Sequence, residues 1–521
     1  MARLFSSKQI YFTSAIAGPL PASYLLAKNL LQHNKKTASR SVNFLGYFFA
    51  LSMYIGFIFL DNRIITRFNH LQVNIWLGIG GAFLIVVALQ SIVTLLFSFK
   101  IKQINKNLID DSSFHPKNTY SNSSVLPYFL MGLIITAYFM FSGTFHFMIF
   151  VIYALPNIYL YHRLKHVFVK KRSGVLFKNI FIAWVALYPL ANMLQRYFNG
   201  SFFNYFVLIT DYYLPVMLYF FLFYLCIDFI LLLTRKIKFI SDSIVKHEKF
   251  RVILFGVISL AVIVIMIRGL YNFNNTTINE YFIEVEKKDS KIENLKIAMA
   301  ADFHLSEITN PYFMDQFIEN INALQPDIVL FVGDIVESEH SNPKMKFFEK
   351  QLQKIESTYG VFAVEGNHDL YRRNNSFNFI KNANIQILRD TIITIDNSFQ
   401  IIGRRDRHYK NRESVTELLK SVSDSLPVIL LDHQPYYLEN AYKNGIDIQF
   451  SGHTHHGQLF PINYITEMIY ELSWGYQKIK NTHFFVTCGA QGWGPQVKTA
   501  SQSEIMLVNV NFNDDTQIKR R

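Results

Sequence analysis

Cysteine is almost missing from the 521 residues. Cys226 lies in an apolar run and Cys488 near the end, so neither a disulfide framework nor a thiolate metal site can be assembled. Acid is scarce in one half only. Up to residue 280 there are 8 Asp+Glu against 26 Lys+Arg, a net of +18; from 281 onward 30 face 25, a net of −5, and the two sum to +13. A basic surplus confined to one half argues for membrane topology and against nucleic-acid binding. Also missing are any internal repeat and the arrangement of a secretory signal peptide, one short apolar core before a small-residue cleavage site and a soluble chain.

What is present in the first half is apolar. Half of the chain is hydrophobic and Phe alone numbers 49. Apolar stretches run near Ile10 to Ala27, Asn43 to Leu60, Ile75 to Phe99, Leu126 to Phe141, Phe145 to Tyr161, Ile180 to Gln195, Tyr205 to Thr234 and Val252 to Leu270. Most approach the roughly 20 residues that cross a bilayer, which predicts about eight membrane helices over 1–271. The segments Lys35 to Arg40, Lys100 to Lys117, Arg163 to Arg172 and Arg235 to Arg251 carry 3, 4, 5 and 6 Lys+Arg, against 2, 0 and 1 in the alternate loops. By the positive-inside rule the first set is cytoplasmic, so everything after Tyr271 is expected on the extracytoplasmic side. Asp211 reads as interfacial. Asp228, in YLCIDFILLL, is an intramembrane acid with a functional reading, weighed against its closeness to the cytoplasmic boundary at Arg235.

The second half turns on Ile446 to Gln458, IDIQFSGHTHHGQ, where an apolar run stops at Ser451. Alternate residues at a strand end point the same way, so His453 and His455 can aim two imidazoles at one point. The same arrangement precedes Asp302-Phe303-His304, Gly333-Asp334, Gly366-Asn367-His368-Asp369 and Asp432-His433. Ligands gather outside the carboxyl ends of strands in α/β sheets, and five such ends carrying Asp, His and Asn suit a shared metal site. The lack of Cys leaves oxygen and nitrogen donors, which favour Mn, Fe or Zn.

In these five ordered blocks the sequence resembles the calcineurin-like metallophosphoesterases, whose signature reads D-x-H, G-D, G-N-H-D, a lone H, then G-H-x-H. The runs IIGRRDRHY, LDHQPYYLENA, SGHTHHGQLFP and GAQGWGPQVKTASQSEI look like its multipass, membrane-anchored bacterial branch. The resemblance implies an α-helical multipass membrane domain (1–271), a linker (272–280), an α/β metallophosphoesterase domain of two mixed β-sheets sandwiched by helices (281–511), and a charged tail (512–521). It also implies two divalent metal ions. Asp302, His304 and His455 would hold one, Asn367, His433 and His453 the other, and Asp334 would bridge them. His368 would be the catalytic residue, as general acid or transition-state donor toward the leaving oxygen, and the nucleophile a metal-activated hydroxide instead of a side chain.

Other residues carry two readings each. Asp369 either orients His368 or caps the following turn. Arg405 and Arg407, with Arg404 around Asp406, form either a clamp for a substrate phosphate or lipid head group or a solvated loop. His456 stands where relatives have a second Gly, either contacting the substrate pocket or packing. Val497-Lys498-Thr499 replaces an expected Arg-containing turn, which puts a phosphate role for that loop in doubt. The function expected is a membrane-bound phosphohydrolase acting on a phosphate mono- or diester, with a lipid-linked substrate as one form; the alternative is a receptor or transporter whose outer module binds a phospho-ligand without turnover.

Overall fold

The computed structural model describes residues 153–513 apart from 169–173, 196–199, 237–246, 287–288, 338–342, 372 and 424, together with a two-residue parallel pair, Arg3–Leu4 and Asn118–Thr119. The four apolar stretches expected between Ile10 and Phe141, and the start of the fifth, lie outside the described residues, as does the tail from 514. The chain divides into two compact units, Met1–Leu155 and Pro156–Arg521. The boundary expected at 271–281 therefore falls inside the second unit.

Five helices open the described chain: α1 (153–168), α2 (Gly174–Gln195), α3 (Ser201–Asp211), α4 (Tyr213–Lys236) and α5 (Glu248–Asn274). Among the described residues, two stretches are long and apolar enough to cross a membrane: Phe202–Leu231, over α3 and α4, and α5. They do not resemble core helices. Only 28% and 11% of their most apolar windows are buried, and Leu225, Phe229, Val257, Leu260, Val264 and Ile267 are exposed. Apolar surface all round a helix needs lipid or protein to cover it. Asp228 is not an isolated intramembrane acid, because Tyr159 donates a 2.6 Å hydrogen bond to it and Arg163 pairs with it.

Beyond α5 come twelve strands in two six-stranded sheets. The first has the order β1 (Thr277–Glu286), β12 (Glu504–Asn513), β2 (Asn294–Ala300), β3 (Ile328–Val332), β4 (Val361–Val364), β5 (Gln386–Ile387). The second runs β10 (Gly475–Ile479), β11 (Thr482–Val486), β9 (Ile448–Ser451), β8 (Val428–Leu431), β7 (Phe399–Gly403), β6 (Thr391–Ile395). Both are mixed, with a parallel centre and antiparallel neighbours. The α/β domain of two mixed sheets is thus as expected.

Strand periodicity builds the layers. In β2, Leu295, Ile297 and Met299 point into the core between the sheets, meeting Ile401, Ile429, Phe450 and Phe485. The intervening Ala298 and Ala300 face the helices Pro311–Ala323 and Pro343–Leu352, and their small size lets Phe313, Phe317 and Phe348 approach. Strand β3, IVLFV, is buried at every position, so it reads as an unbroken apolar run with no polar face.

The expected linker contracts. Helix α5 continues to Asn274 and β1 begins at Thr277, leaving two residues between them. The polar Asn272 does not signal a loop. It is buried, its Nδ2 donates to Lys498 O at 3.1 Å, and its carbonyl accepts from Ser503 N at 3.0 Å. Strand β1 runs parallel to β12, pairing Asn279 with Met506, while β2 is antiparallel to β12, pairing Met299 with Met506. The amino end of β1 therefore stands at the carboxyl end of β2, the end from which Asp302 follows. One more close contact joins α5 to the domain: a Cβ on Gly269 would lie 2.4 Å from Val497 Cγ1. Gly269→Leu should overpack this crossing and cost about 1–3 kcal/mol. Thermal unfolding of the full chain in detergent should shift downward, and an unchanged midpoint would contradict so close an approach.

Candidate metal centre

The loops after β2, β3, β4, β8 and β9 meet at one end of the sandwich. Those after β2 and β3 pair: Asp302 N donates to Gly333 O at 3.0 Å, His304 N to Asp334 O at 3.0 Å and Leu305 N to Ile335 O at 2.9 Å. Asp369 is fully buried and fastens the next loop, accepting from Gly366 N at 2.9 Å, Val336 N at 3.0 Å and Ile335 N at 3.1 Å. These contacts tie one loop to another and match neither of its two readings: no amide of the following turn is among the donors, and the imidazole of His368 is held by a different acid, Glu337.

Five of the seven expected ligand residues adopt left-handed backbone: Asp302 (φ 55°), His304 (46°), Asp334 (54°), His453 (70°) and His455 (48°). Each such residue costs of order 1–3 kcal/mol and persists only where the surroundings hold it. Here the hold is steric and polar. A Cβ on Gly366 would sit 2.1 Å from Asp334 Oδ1, and one on Gly452 2.5 Å from Asp302 Oδ2. Backbone amides bind the same carboxylates, His368 N to Asp334 at 2.8 Å and His453 N to Asp302 at 3.0 Å.

The structure brings six of the seven together in two groups. Asp302, His304 and His455 offer ligand atoms within 4.8 Å of one another, and so do Asp334, His433 and His453. Asp334 lies between the groups, its Oδ2 3.2 Å from His433 Nε2 and 3.9 Å from His304 Nε2. Whether these residues suit a cation is tested by what they leave unpaired. Asn367 Oδ1 is buried with no hydrogen-bond partner, an arrangement rare in folded proteins and suited to a donor facing a cation. Asn367 belongs to the expected second set, and with the Asp and His clusters it makes a donor set that suits a divalent cation.

Protons occupy this cluster when no cation does. Burial alone would lower the imidazoles of His304 and His433, but carboxylates outweigh it. Glu337, Asp334 and Asp302 raise His304 to about 9, and Asp334 raises His433 to about 10. Burial, then the neighbouring His433 charge, lowers His453 to about 3; burial, then His304, takes His455 well below its ordinary value. Two imidazoles stand neutral for coordination, and two hold protons that a cation would displace.

Glu337 escapes the sequence pattern. Its Oε1 lies 2.8 Å from His304 Nδ1 and 2.6 Å from His368 Nδ1, so one carboxylate orients both rings and leaves their Nε2 atoms to face the centre. It sits three residues after Asp334 in GDIVE, and no spacing rule singles it out. Lys498 is a second omission. It is fully buried, with Nζ donating to Cys488 O at 2.8 Å and Gly489 O at 2.7 Å, beneath Asp302, whose Cβ a side chain on Gly489 would meet at 2.9 Å. The turn 497–499 is therefore a support and its lysine is turned away from any phosphate.

The remaining expectations separate. Arg404 and Arg412 converge on Asp432, and Arg405 is 3.7 Å from Asp390 and stacks over Tyr409. Arg407 is exposed, its guanidinium 4.1 Å over the Tyr436 ring. Tyr436 in turn bonds Tyr470, whose ring lies 6.2 Å from that of His453. His456 is buried against Ser473, Glu467 and the Trp474 ring, contacts that belong to packing. Trp493, half exposed, lies 5.8 Å from the His368 ring.

Comparison with known proteins agrees with this architecture. Residues 295–457 match the calcineurin-like phosphoesterase family. The chain is 29% identical over 383 residues to an uncharacterized metallophosphoesterase of Campylobacter jejuni, covering 70% of this chain and 98% of that protein. It is 30% identical over 244 residues to an uncharacterized metallophosphoesterase of Aquifex aeolicus, covering 44% of this chain and 92% of the relative. A Bos taurus transmembrane protein with metallophosphoesterase domain is 29% identical over 243 residues, covering 43% of this chain and 54% of the relative.

Two outcomes are expected. Glu337→Gln should lower phosphoester turnover about 10–100-fold while bound metal, measured by elemental analysis, is largely kept; full turnover would remove Glu337 from the site. The second concerns pH. Because His304 and His433 are raised above the ordinary 6.5 in the metal-free fold, their stabilisation is complete below that pH and is lost as pH rises toward 9–10. Metal-free protein should thus lose thermal stability over that range, and metal uptake should release protons and tighten as pH rises. Uptake independent of pH would contradict the assignment.

Proposed function

Because this chain belongs to the calcineurin-like metallophosphoesterase family and is a hydrolase of phosphoric esters, we propose that it is an integral-membrane phosphohydrolase whose dinuclear centre, outside the cytoplasm, cleaves a mono- or diester presented at the bilayer surface. The observation that carries the reading is the two-residue connection of α5 to β1 at the strand end that bears Asp302. A lipid-linked ester suits that proximity, since a tethered site meets bilayer components at high effective concentration. The multipass topology is supported by the basic loop segments, and α5 enters from the most basic of them, Arg235 to Arg251.

In this reading Asp302, His304 and His455 would hold one cation, Asn367, His433 and His453 the second, with Asp334 shared between them. Bound Mn, Fe or Zn would supply water activation and charge compensation for in-line displacement. The chain's own groups do the rest. Glu337, accepting from Nδ1, fixes His304 with its Nε2 lone pair toward the cation. The same oxygen anchors His368, so that its Nε2–H can be delivered to the leaving oxygen. Arg407, stacked over Tyr436, would be the cation that meets a second phosphate oxygen; Arg405, engaged by Asp390, serves the loop that carries it.

The full chain purified with Mn²⁺ is expected to hydrolyse bis-p-nitrophenyl phosphate, and His455→Ala to abolish this. His368→Ala should retain metal and lose about 10²–10⁴ in rate, the usual worth of a positioned acid. Undiminished activity in His455→Ala would defeat the metal assignment. Proteolysis of the α/β domain from the cytoplasmic face of intact vesicles, with protection from the other, would defeat the topology.

A further inference from the structure

The metal-bearing loop after β9 runs directly into an eight-residue helix, Ile462–Ile469, whose amphipathy is inverted. Asn463 is buried, Thr466 accepts from Ser473 Oγ at 2.8 Å, and Glu467 leans back toward Asn463 at 3.4 Å and His456 at 3.7 Å. Beside the half-exposed Glu467 side chain, the outward positions are Tyr464, Ile465, Met468 and Ile469, with Met468 79% exposed, and Phe460 and Trp474 are exposed on the two sides of the helix in the sequence. A solvated surface helix would carry its polar side outward.

The position of this face says what covers it. Tyr219, in α4, donates to Phe460 O at 3.0 Å and bonds Thr499, which also accepts from Phe460 N at 2.9 Å. Tyr219 lies six residues inside α4, about 9 Å along its axis from Tyr213. The short helix is therefore held level with the outer turns of a helix read here as a membrane span, not above them. From Leu459 to Gln477 there is no Lys or Arg, so the attraction is apolar burial and not charge. Resting on the membrane reading above, we propose that helix 462–469 with Phe460 and Trp474 seats in the outer leaflet, at the boundary between head groups and acyl chains.

The seat is rigidly joined to the metal centre. A Cβ on Gly457 would fall 2.5 Å from Asn463 N. Ser473 accepts through its carbonyl from Thr454 Oγ1 at 2.6 Å, and its hydroxyl lies 3.3 Å from His456 Nδ1. The loop that presents His453 and His455 is thereby fixed to the leaflet it faces.

Nitroxide labelling of the full chain in phosphatidylcholine nanodiscs tests this. Met468→Cys, Ile263→Cys (mid α5) and Lys354→Cys (near the amino ends of β3 and β4) are made in a Cys226→Ser background, Cys488 being buried. Oxygen and a water-soluble nickel chelate are compared as relaxants. The expected oxygen-to-nickel ratio at 468 is close to that at 263 and several-fold above that at 354. A ratio at 468 like that at 354, with 263 lipid-like, overturns the seat and leaves the membrane reading standing. Shielding of 468 from both relaxants means a protein partner or a second copy covers the face, and also overturns it. An aqueous ratio at 263 removes the membrane reading and this proposal with it.

Discussion

Three buried carboxylates at the ends of adjacent strands, those of Asp302, Asp334 and Asp369, impose the constraint on which the rest depends. Buried acids are costly unless paired or hydrogen-bonded, and each is satisfied in its own way. Asp369 takes three backbone amides and ties the loops after β3 and β4. Asp302 and Asp334 take one amide donor each, from His453 and His368, and face imidazoles with their remaining oxygens. The left-handed backbone of Asp302, His304, Asp334, His453 and His455 is the geometric cost of turning so many polar groups inward at one point. Glycines at 333, 366, 452 and 489 leave the space, since a Cβ at any of them would collide with Asp302, Asp334 or His433.

That cluster is physically continuous with the helices before it. Lys498 binds the carbonyls of Cys488 and Gly489 under Asp302, while its own amide donates to Gly269 O of α5 at 3.0 Å. Glu504 holds Thr487, Cys488 and the Trp474 indole from the other side. A shift of α5 would be transmitted through three residues to the loop beneath Asp302, and the helices from Pro156 onward lie in one compact unit with the α/β domain.

The sandwich was legible because five of its strands are short apolar runs, each stopped by a residue type that belongs at a site. The expected ligand residues stood out for the same reason. Glu337 was not, because an acid that acts through two imidazoles needs only proximity in space, and nothing in GDIVE marks it. Lys498 was hidden likewise: a lysine whose ammonium binds carbonyls looks in sequence like any surface lysine. The run Asn272 to Thr277 read as a linker because asparagines favour turns. Tertiary hydrogen bonds from Asn272 Nδ2 to Lys498 O and from Ser503 N to Asn272 O instead carry helix and strand almost to contact. The arginines at 404 and 405 look like a phosphate clamp until Asp432 and Asp390 are brought beside them.

The central claim is that Asp334 stands between two cation sites. Elemental analysis of the purified full chain and of Asp334→Ala, both loaded with Mn²⁺ and desalted, tests it most directly. Two ions per wild-type chain and a loss of both in the variant are expected, whereas a variant that keeps the wild-type complement would contradict the account.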